Sequence, residues 1–166
     1  MSSRPTIRVR RDADLDRCVQ ALRLVHETDT YPLNWPTDPR GWLNPPQLRQ
    51  AWIADGADGA VDGHVAVHRP PGEADARHVE LSRLFVAPAA RRGALASALV
   101  DHARAWAAER GYDLTLNVTG EHRSAAVAFY ETTGWRHTHT TEADWTTPDG
   151  RPVRLRHYRL TSGAGT

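Results

Sequence analysis

Apolar and polar positions change period several times along the chain, and each change marks an element. Residues 6–10 alternate apolar Ile7 and Val9 with polar neighbours, which predicts a strand. Asp12 can then cap a helix whose apolar stripe is Leu15, Cys18, Val19, Leu22 and Val25. Over residues 31–46 five prolines, together with Tyr31, Trp35 and Trp42, break both periods and predict an irregular aromatic loop with room for a short helical turn. Residues 52–54 and Val61–His68 read as two strands joined through the turn-rich Asp55-Gly56-Ala57-Asp58-Gly59, an antiparallel hairpin.

The next strand is His78–Val86, where Val79, Leu81 and Phe85 alternate with Glu80, Ser82 and Leu84 on the opposite face. Pro88 ends it. A helix follows over residues 94–110, with Leu95, Ala98, Leu99, His102, Ala103 and Trp106 at helical spacing and Gly111 as its stop. Residues 114–118 predict a short strand, 124–133 a second helix stopped by Gly134, and 135–140 and 153–160 a final strand pair. Strands and helices in this order, without a repeat or a long linker, predict one α/β domain with a mixed sheet spanning residues 1–166.

Composition narrows the partners. Lys plus Arg is 21 against 20 for Asp plus Glu, a net charge of +1, so the chain lacks the basic field that draws proteins onto nucleic acid, and no nucleic-acid partner is expected. The single cysteine, Cys18, can make neither an internal disulfide nor a cysteine-rich metal site, which fits a reducing compartment. Charge interrupts the N-terminus before any apolar run, so neither a signal peptide nor a membrane span is expected and the reading is cytoplasmic.

The turn between strand and helix carries candidate chemistry. Anions settle at such turns because the first helical N–H groups are free and the dipole is positive, while small residues admit phosphate to the backbone. Arg91-Arg92-Gly93-Ala94-Leu95-Ala96 has this form, although an ordinary turn with solvated arginines has it too. The chain has neither a Gly-Lys-Ser/Thr P-loop nor a G-x-G-x-x-G dinucleotide motif. The stretch from Glu80 through Phe85 to Ala96 resembles the acetyl-CoA segment of the GNAT superfamily, Q/R-x-x-G-x-G/A, with Arg91 at its first position, Ala96 at its last and Ala94 where glycine is usual. A second block, Ala126 to Trp135, is similar to that family's A-x-x-φ-Y-x-x-x-G-F/W, φ being apolar, and Arg123 stands where the family usually carries asparagine.

The resemblance implies a mixed, mostly antiparallel central sheet flanked by helices, and an N-acetyltransferase that moves acetyl from acetyl-CoA to a primary amine of a small molecule or peptide. Such transfer needs a base for the amine nitrogen, donors for the oxyanion and an acid for the departing thiolate. By the same resemblance Glu80 stands at the base position and Tyr130 at the acid position. Read as structure alone, Glu80 is a strand carboxylate or a partner for Arg83, and Tyr130 a packed helix tyrosine. Backbone groups of Leu84, Phe85 and Val86 would pair with pantetheine and face the thioester oxygen, and Arg91, Arg92, Gly93, Ala94, Leu95, Ala96, Arg123 and Tyr130 would complete the cofactor contacts.

Nine histidines raise a metal reading: His137 with His139, and His64 with His68, each share a strand face, but no third ligand accompanies either pair and no metal is expected. Cys18 lies on an apolar stripe, where a buried thiol is the natural reading. The aromatic loop and Glu142-Ala143-Asp144-Trp145, read as a segment between the last strands, occupy the regions where GNAT enzymes bind acceptors. Glu27, Asp29, Glu142 and Asp144 beside tryptophans suit a cationic amine, and equally suit solvated loop acids. Two other readings stay open: a toxin-like acetylase of aminoacyl-tRNA, which the balanced charge disfavours, and a noncatalytic acyl-CoA-binding sensor or partner module. A homodimer is compatible with either an enzyme or a sensor.

Overall fold

Strand β3 (Val61–His68) shows how the sequence builds the first part of the chain, because its two faces meet different partners. Gly63, Val65 and Val67 turn to one side, and His64, Ala66 and His68 to the other. It pairs antiparallel with β2 (Leu48–Asp55) and with β4 (His78–Val86), and β1 (Ile7–Val9) pairs antiparallel with β2. The computed structural model describes residues 6–91, 94–119 and 123–160 and divides the chain into two compact units, Met1–Tyr112 and Asp113–Thr166.

In the first unit, α1 (Leu15–Asp29) lays its stripe of Leu15, Cys18, Ala21, Leu22 and Val25 on the sheet, where these residues pack with Leu43, Ile53, Val61 and Phe85. Its expected cap moves. Residues Asp12–Asp14 form a single 3-10 turn, Asp12 is exposed, and the buried Asp14 accepts the Arg11 backbone N–H at 2.7 Å. The aromatic loop contains one helical turn, α2 (Pro39–Leu43), opened by Asp38, which accepts the Gly41 N–H at 3.1 Å. Tyr31, Trp35 and Trp42 pack against the α1 core.

The other face of the sheet takes α3 (Leu95–Glu109), with Leu95, Leu99, Val100, Ala103 and Ala107 buried. Gly63 permits the close approach: a Cβ there would stand 2.8 Å from Leu99 Cδ1 and 3.1 Å from Leu95 Cδ2. Trp106 is partly buried and meets Trp52 edge-on at 5.6 Å, whereas His102 is exposed.

One irregularity in β4 governs the site. His64 pairs with Phe85 and Ala66 with Ser82, so Arg83 and Leu84 together oppose Val65 in a β-bulge. Arg83 is the bulged residue with a left-handed backbone, φ 52°. The simple alternation expected for this strand therefore fails beyond Ser82. Phe85 does not share a face with Val79 and Leu81; it joins Glu80 and Ser82 on the α1 side, where it stacks on His64 at 5.0 Å.

In the second unit β5 (Asp113–Thr119), β7 (Pro152–Leu160) and β6 (Trp135–Thr146) lie in that order, all antiparallel, and α4 (Arg123–Glu131) packs on β5 and β6. Leu114, Leu116, Tyr130, Trp135, Val153 and Tyr158 are buried. The strand expected to end near residue 140 continues to Thr146, so Glu142, Asp144 and Trp145 belong to β6 rather than to a loop. Most of β6 is exposed on both faces, and such a strand has no apolar alternation to read. The class is α/β, as expected, and every described strand pair within each unit is antiparallel. Among the described residues, no helix is long and apolar enough to cross a membrane.

Candidate active site

Glu80 faces the side of the sheet that carries the aromatic loop, because it pairs with His68 and shares the α1 side with Ser82 and Phe85. Its carboxylate is engaged: His68 Nε2 stands 3.3 Å from Glu80 Oε1, both side chains being largely buried. His68 Nδ1 lies 2.8 Å from Ser82 Oγ. A ring that turns its Nε2–H to Glu80 accepts the Ser82 hydroxyl at Nδ1 when neutral, so the imidazole fixes both neighbours. Read as structure alone, Glu80 was a solvated strand carboxylate or a partner for Arg83; it contacts His68 instead, and Arg83 turns to the loop.

Arg83 donates Nε–H to the Trp42 carbonyl at 2.8 Å, and its guanidinium lies 4.5 Å over the Trp42 ring. Tyr31 meets the same indole edge-on at 6.2 Å, and burial pushes its phenol up to about 12. The bulge that presents Arg83 is held from behind. The Arg83 carbonyl accepts from His64 Nδ1 at 2.8 Å, and His64 Nε2 accepts from Arg10 Nη1 at 2.9 Å. A carbonyl only accepts and a guanidinium only donates, which assigns the neutral ring with its proton on Nδ1. Complete burial pushes His64 down to about 3, partly offset by the bond to the Arg83 carbonyl. Arg10 also bonds the Leu43 carbonyl and Asn44 Oδ1, each at 2.7 Å, tying the bulge to the end of α2.

The expected cofactor turn begins where β4 ends. Arg91 donates to the Val86 carbonyl at 3.2 Å and pairs with Asp29 at the end of α1. Asp29, expected among acids that suit an acceptor amine, thus serves the turn. Arg92 and Gly93 lie outside the described residues. Ala94 is exposed and offers no side-chain cap to α3. The first α3 bond is Ala98 N–H to the Ala94 carbonyl, so the N–H groups of Leu95 and Ala96 have no acceptor within the helix. The Leu95 side chain is buried toward Gly63, leaving its backbone as the part that can meet a ligand. Leu84 and Val86 are partly exposed, and the bulge takes Arg83 and Leu84 out of the regular β3 ladder.

In the second unit Tyr130 is buried, 6% exposed, between Trp135 at 5.9 Å and Tyr158 at 6.4 Å. Helix α4 starts at Arg123, whose side chain lies outside the described residues. His139 stacks on His157 at 4.3 Å, not on His137, because the register shifts between His137 and His139. Among the described residues no group of three or more metal-ligating side chains forms. Cys18 is fully buried, and burial pushes its thiol up to about 11.

Sequence reasoning overlooked Arg10, and it weighed Arg83 only as a partner for Glu80 and His64 with His68 only as a metal pair. A signal for the bulge was present: apolar Leu84 and Val86 fall out of phase with apolar Val79 and Leu81.

The sequence matches the GNAT acetyltransferase family over residues 18–135. No protein of curated function matches it significantly. Among solved structures, the chain is similar to an N-acetyltransferase from Staphylococcus aureus Mu50, with TM-score 0.75 and 20% identity over 95% of this chain and 98% of that one. It is similar to the ribosomal-protein-alanine N-acetyltransferase of Brucella melitensis, with TM-score 0.74 and 23% identity over 93% and 98%. A Salmonella typhimurium protein solved with its cofactor acetyl-CoA gives TM-score 0.73 and 18% identity over 95% and 94%. At these identities the likenesses show a shared fold.

Proposed function

We propose that this chain, which belongs to the GNAT acetyltransferase family, acts as one domain that acetylates the primary amine of a small molecule or peptide by direct transfer. Acetyl-CoA, the donor used by the family, supplies the activated thioester. The residues present suit it: Arg91 stands beside a helix start that no side chain caps, and Leu95 and Ala96 follow with N–H groups free of helix bonds.

The observation that carries the reading is the placement of Glu80 on the face of the aromatic loop, in the strand that leads into this turn. Glu80, held by His68, takes the proton of the attacking amine directly or through water. Backbone N–H groups at the bulge, from Leu84 to Val86, are the candidates for oxyanion donors. Tyr130 is assigned the proton for the departing thiolate on its position in the second family block. Cys18 is buried and held as a thiol, which supports transfer without a covalent enzyme intermediate.

Thermal denaturation with acetyl-CoA, followed by thiol release against an amine panel, tests the reading. Millimolar acetyl-CoA is expected to raise the Tm, and at least one amine to release thiol. Binding without transfer to any amine favours the noncatalytic sensor, and an unchanged Tm contradicts cofactor binding. Tyr130→Phe is expected to slow single-turnover transfer about 10²–10⁴-fold with little change in acetyl-CoA affinity. A rate within about twofold of the parent would return Tyr130 to a packing role.

A further inference from the structure

Among the described residues Arg83 has no carboxylate at ion-pair distance. Its polar contacts are the Trp42 carbonyl at 2.8 Å and Ser82 Oγ at 3.5 Å, and its guanidinium rests on the Trp42 ring. Arg8 binds Asp14 and Asp55, Arg91 binds Asp29, and Arg159 binds Asp113, whereas Arg49 and Arg69 bond the Tyr112 hydroxyl and the Glu73 carbonyl. Arg10, which braces the bulge from behind, also bonds only neutral acceptors. Burial lowers the proton affinity of both Arg10 and Arg83, against the pull of Asp12 and Asp14 on Arg10 and of Glu80 on Arg83. Two neighbouring cations that no carboxylate of the described residues bonds directly favour an anionic guest. Arg83 also keeps a left-handed backbone, which residues with a side chain seldom adopt.

The donors left over define the guest. The guanidinium fork is planar and suited to a carboxylate in two parallel bonds, with the indole beneath fixing its plane. The Tyr31 hydroxyl has no hydrogen-bond partner among the described residues, and its ring meets the same indole. Glu80 is near enough for Arg83 to feel its charge, yet the two form no ion pair. Opposite charges on one face suit a zwitterion, its nitrogen toward Glu80 and its carboxylate toward Arg83. A polyamine would bring a second cation toward Arg83 and Arg10, and a peptide N-terminus presents a neutral amide where a free amino acid has its carboxylate.

We propose that Arg83, seated on Trp42 and aided by the Tyr31 hydroxyl, binds the carboxylate of the acceptor, so that the acceptor is a free amino acid. This rests on the acetyltransferase reading, with Glu80 receiving the amine proton.

The test uses matched triplets, each an L-amino acid, its carboxamide and the decarboxylated amine, over several side-chain types. Acetyl transfer to the preferred amino acid is expected to exceed transfer to its carboxamide about 10- to 100-fold in kcat/KM. Arg83→Asn, chosen because asparagine tolerates the left-handed backbone, is expected to erase most of that preference. Tyr31→Phe, which removes one hydroxyl, is expected to reduce the preference severalfold and keeps the test alive if the first variant misfolds. Titration calorimetry of the same triplets, with and without coenzyme A, reads the site without turnover. Carboxylate-selective binding that Arg83→Asn abolishes, with no transfer to any amine, would uphold the site and overturn the acetyltransferase reading. Transfer or binding that treats carboxylate, carboxamide and decarboxylated amine alike in every triplet would overturn the proposal and leave that reading standing.

Discussion

Arg8 and Arg10 stand two residues apart at the first strand and meet opposite surroundings. Arg8 bonds Asp14 through two nitrogens at 2.9 Å each and Asp55 at 2.7 and 3.2 Å, and Arg17 closes the cluster through the same two carboxylates. Arg10 bonds a carbonyl, an amide oxygen and the neutral imidazole of His64. The same side chain consequently shifts in opposite directions: bonds to Asp14 and Asp55 raise Arg8, while burial lowers Arg10. The Arg8 cluster is complete in itself and fastens the start of α1 to the edge of the sheet. The Arg10–His64–Arg83 chain satisfies hydrogen bonds but, among the described residues, forms no direct ion pair, on the face that carries Glu80. Ion pairing closes the first network, and its lack in the second is what the proposed carboxylate site builds on.

The largest stability effect is expected in the complete network. Asp14→Ala removes a buried carboxylate that serves Arg8, Arg17 and the Arg11 N–H, and is expected to cost about 2–4 kcal/mol in urea denaturation at pH 7. Side-chain bonds from Arg8, with help from the Arg11 N–H and Arg17, hold this carboxyl well below the usual carboxylate range. Its contribution is present above the ordinary carboxylate pKa and is lost as pH falls below about 4. An Asp14→Ala protein as stable as the parent at pH 7 would break the comparison.

The second network titrates earlier. His64 is held near 3 in the native chain against 6.5 when solvated, so the unfolded chain binds the extra proton between those values. Stability due to the neutral ring is present above about 6.5 and falls as pH drops toward 3, by about 2 kcal/mol at pH 5. Denaturation midpoints at pH 7 and pH 5 check this: the parent is expected to weaken over an interval in which Asp14 stays ionised. Equal stability at the two pH values would place the proton elsewhere.

The smallest effect is expected at the Asp29 and Arg91 pair, whose side chains are 40% and 36% exposed. Asp29→Ala is expected to change stability by less than about 1 kcal/mol. A larger loss would make that contact part of the fold rather than of the turn.

How much of this was legible in the sequence depends on what each residue obeys. The α1 stripe follows a simple period, and β3 and β4 are apolar runs bounded by turn residues, so Val61–His68 and His78–Val86 agree with expectation at both ends. Strand β2 runs from Leu48 to Asp55, longer than residues 52–54, because Arg49 and Gln50 carry no apolar signal. The bulge was only half legible: Leu84 and Val86 fall out of phase, but residues 79, 81 and 85 keep step, and a left-handed arginine lacks the glycine that usually announces such a turn. The Glu80, Tyr130 and Arg91 assignments rest on motif spacing, which names a position but not its neighbours. His68, His64 and Arg10 come to the site only through strand register, and an unpaired guanidinium becomes visible only when its partners can be counted.

The account turns on Glu80 as the group that receives the amine proton from its place on the aromatic-loop face. The direct measurement is the pH profile of acetyl transfer by Glu80→Gln beside the parent, at saturating acetyl-CoA, with Tm as a control for packing. The account predicts a loss on the order of 10²–10⁴-fold at moderate pH that shrinks as pH rises, because an amine already deprotonated no longer needs the base. A profile parallel to the parent, or a loss matched by a fall in Tm, would make Glu80 only the partner of His68.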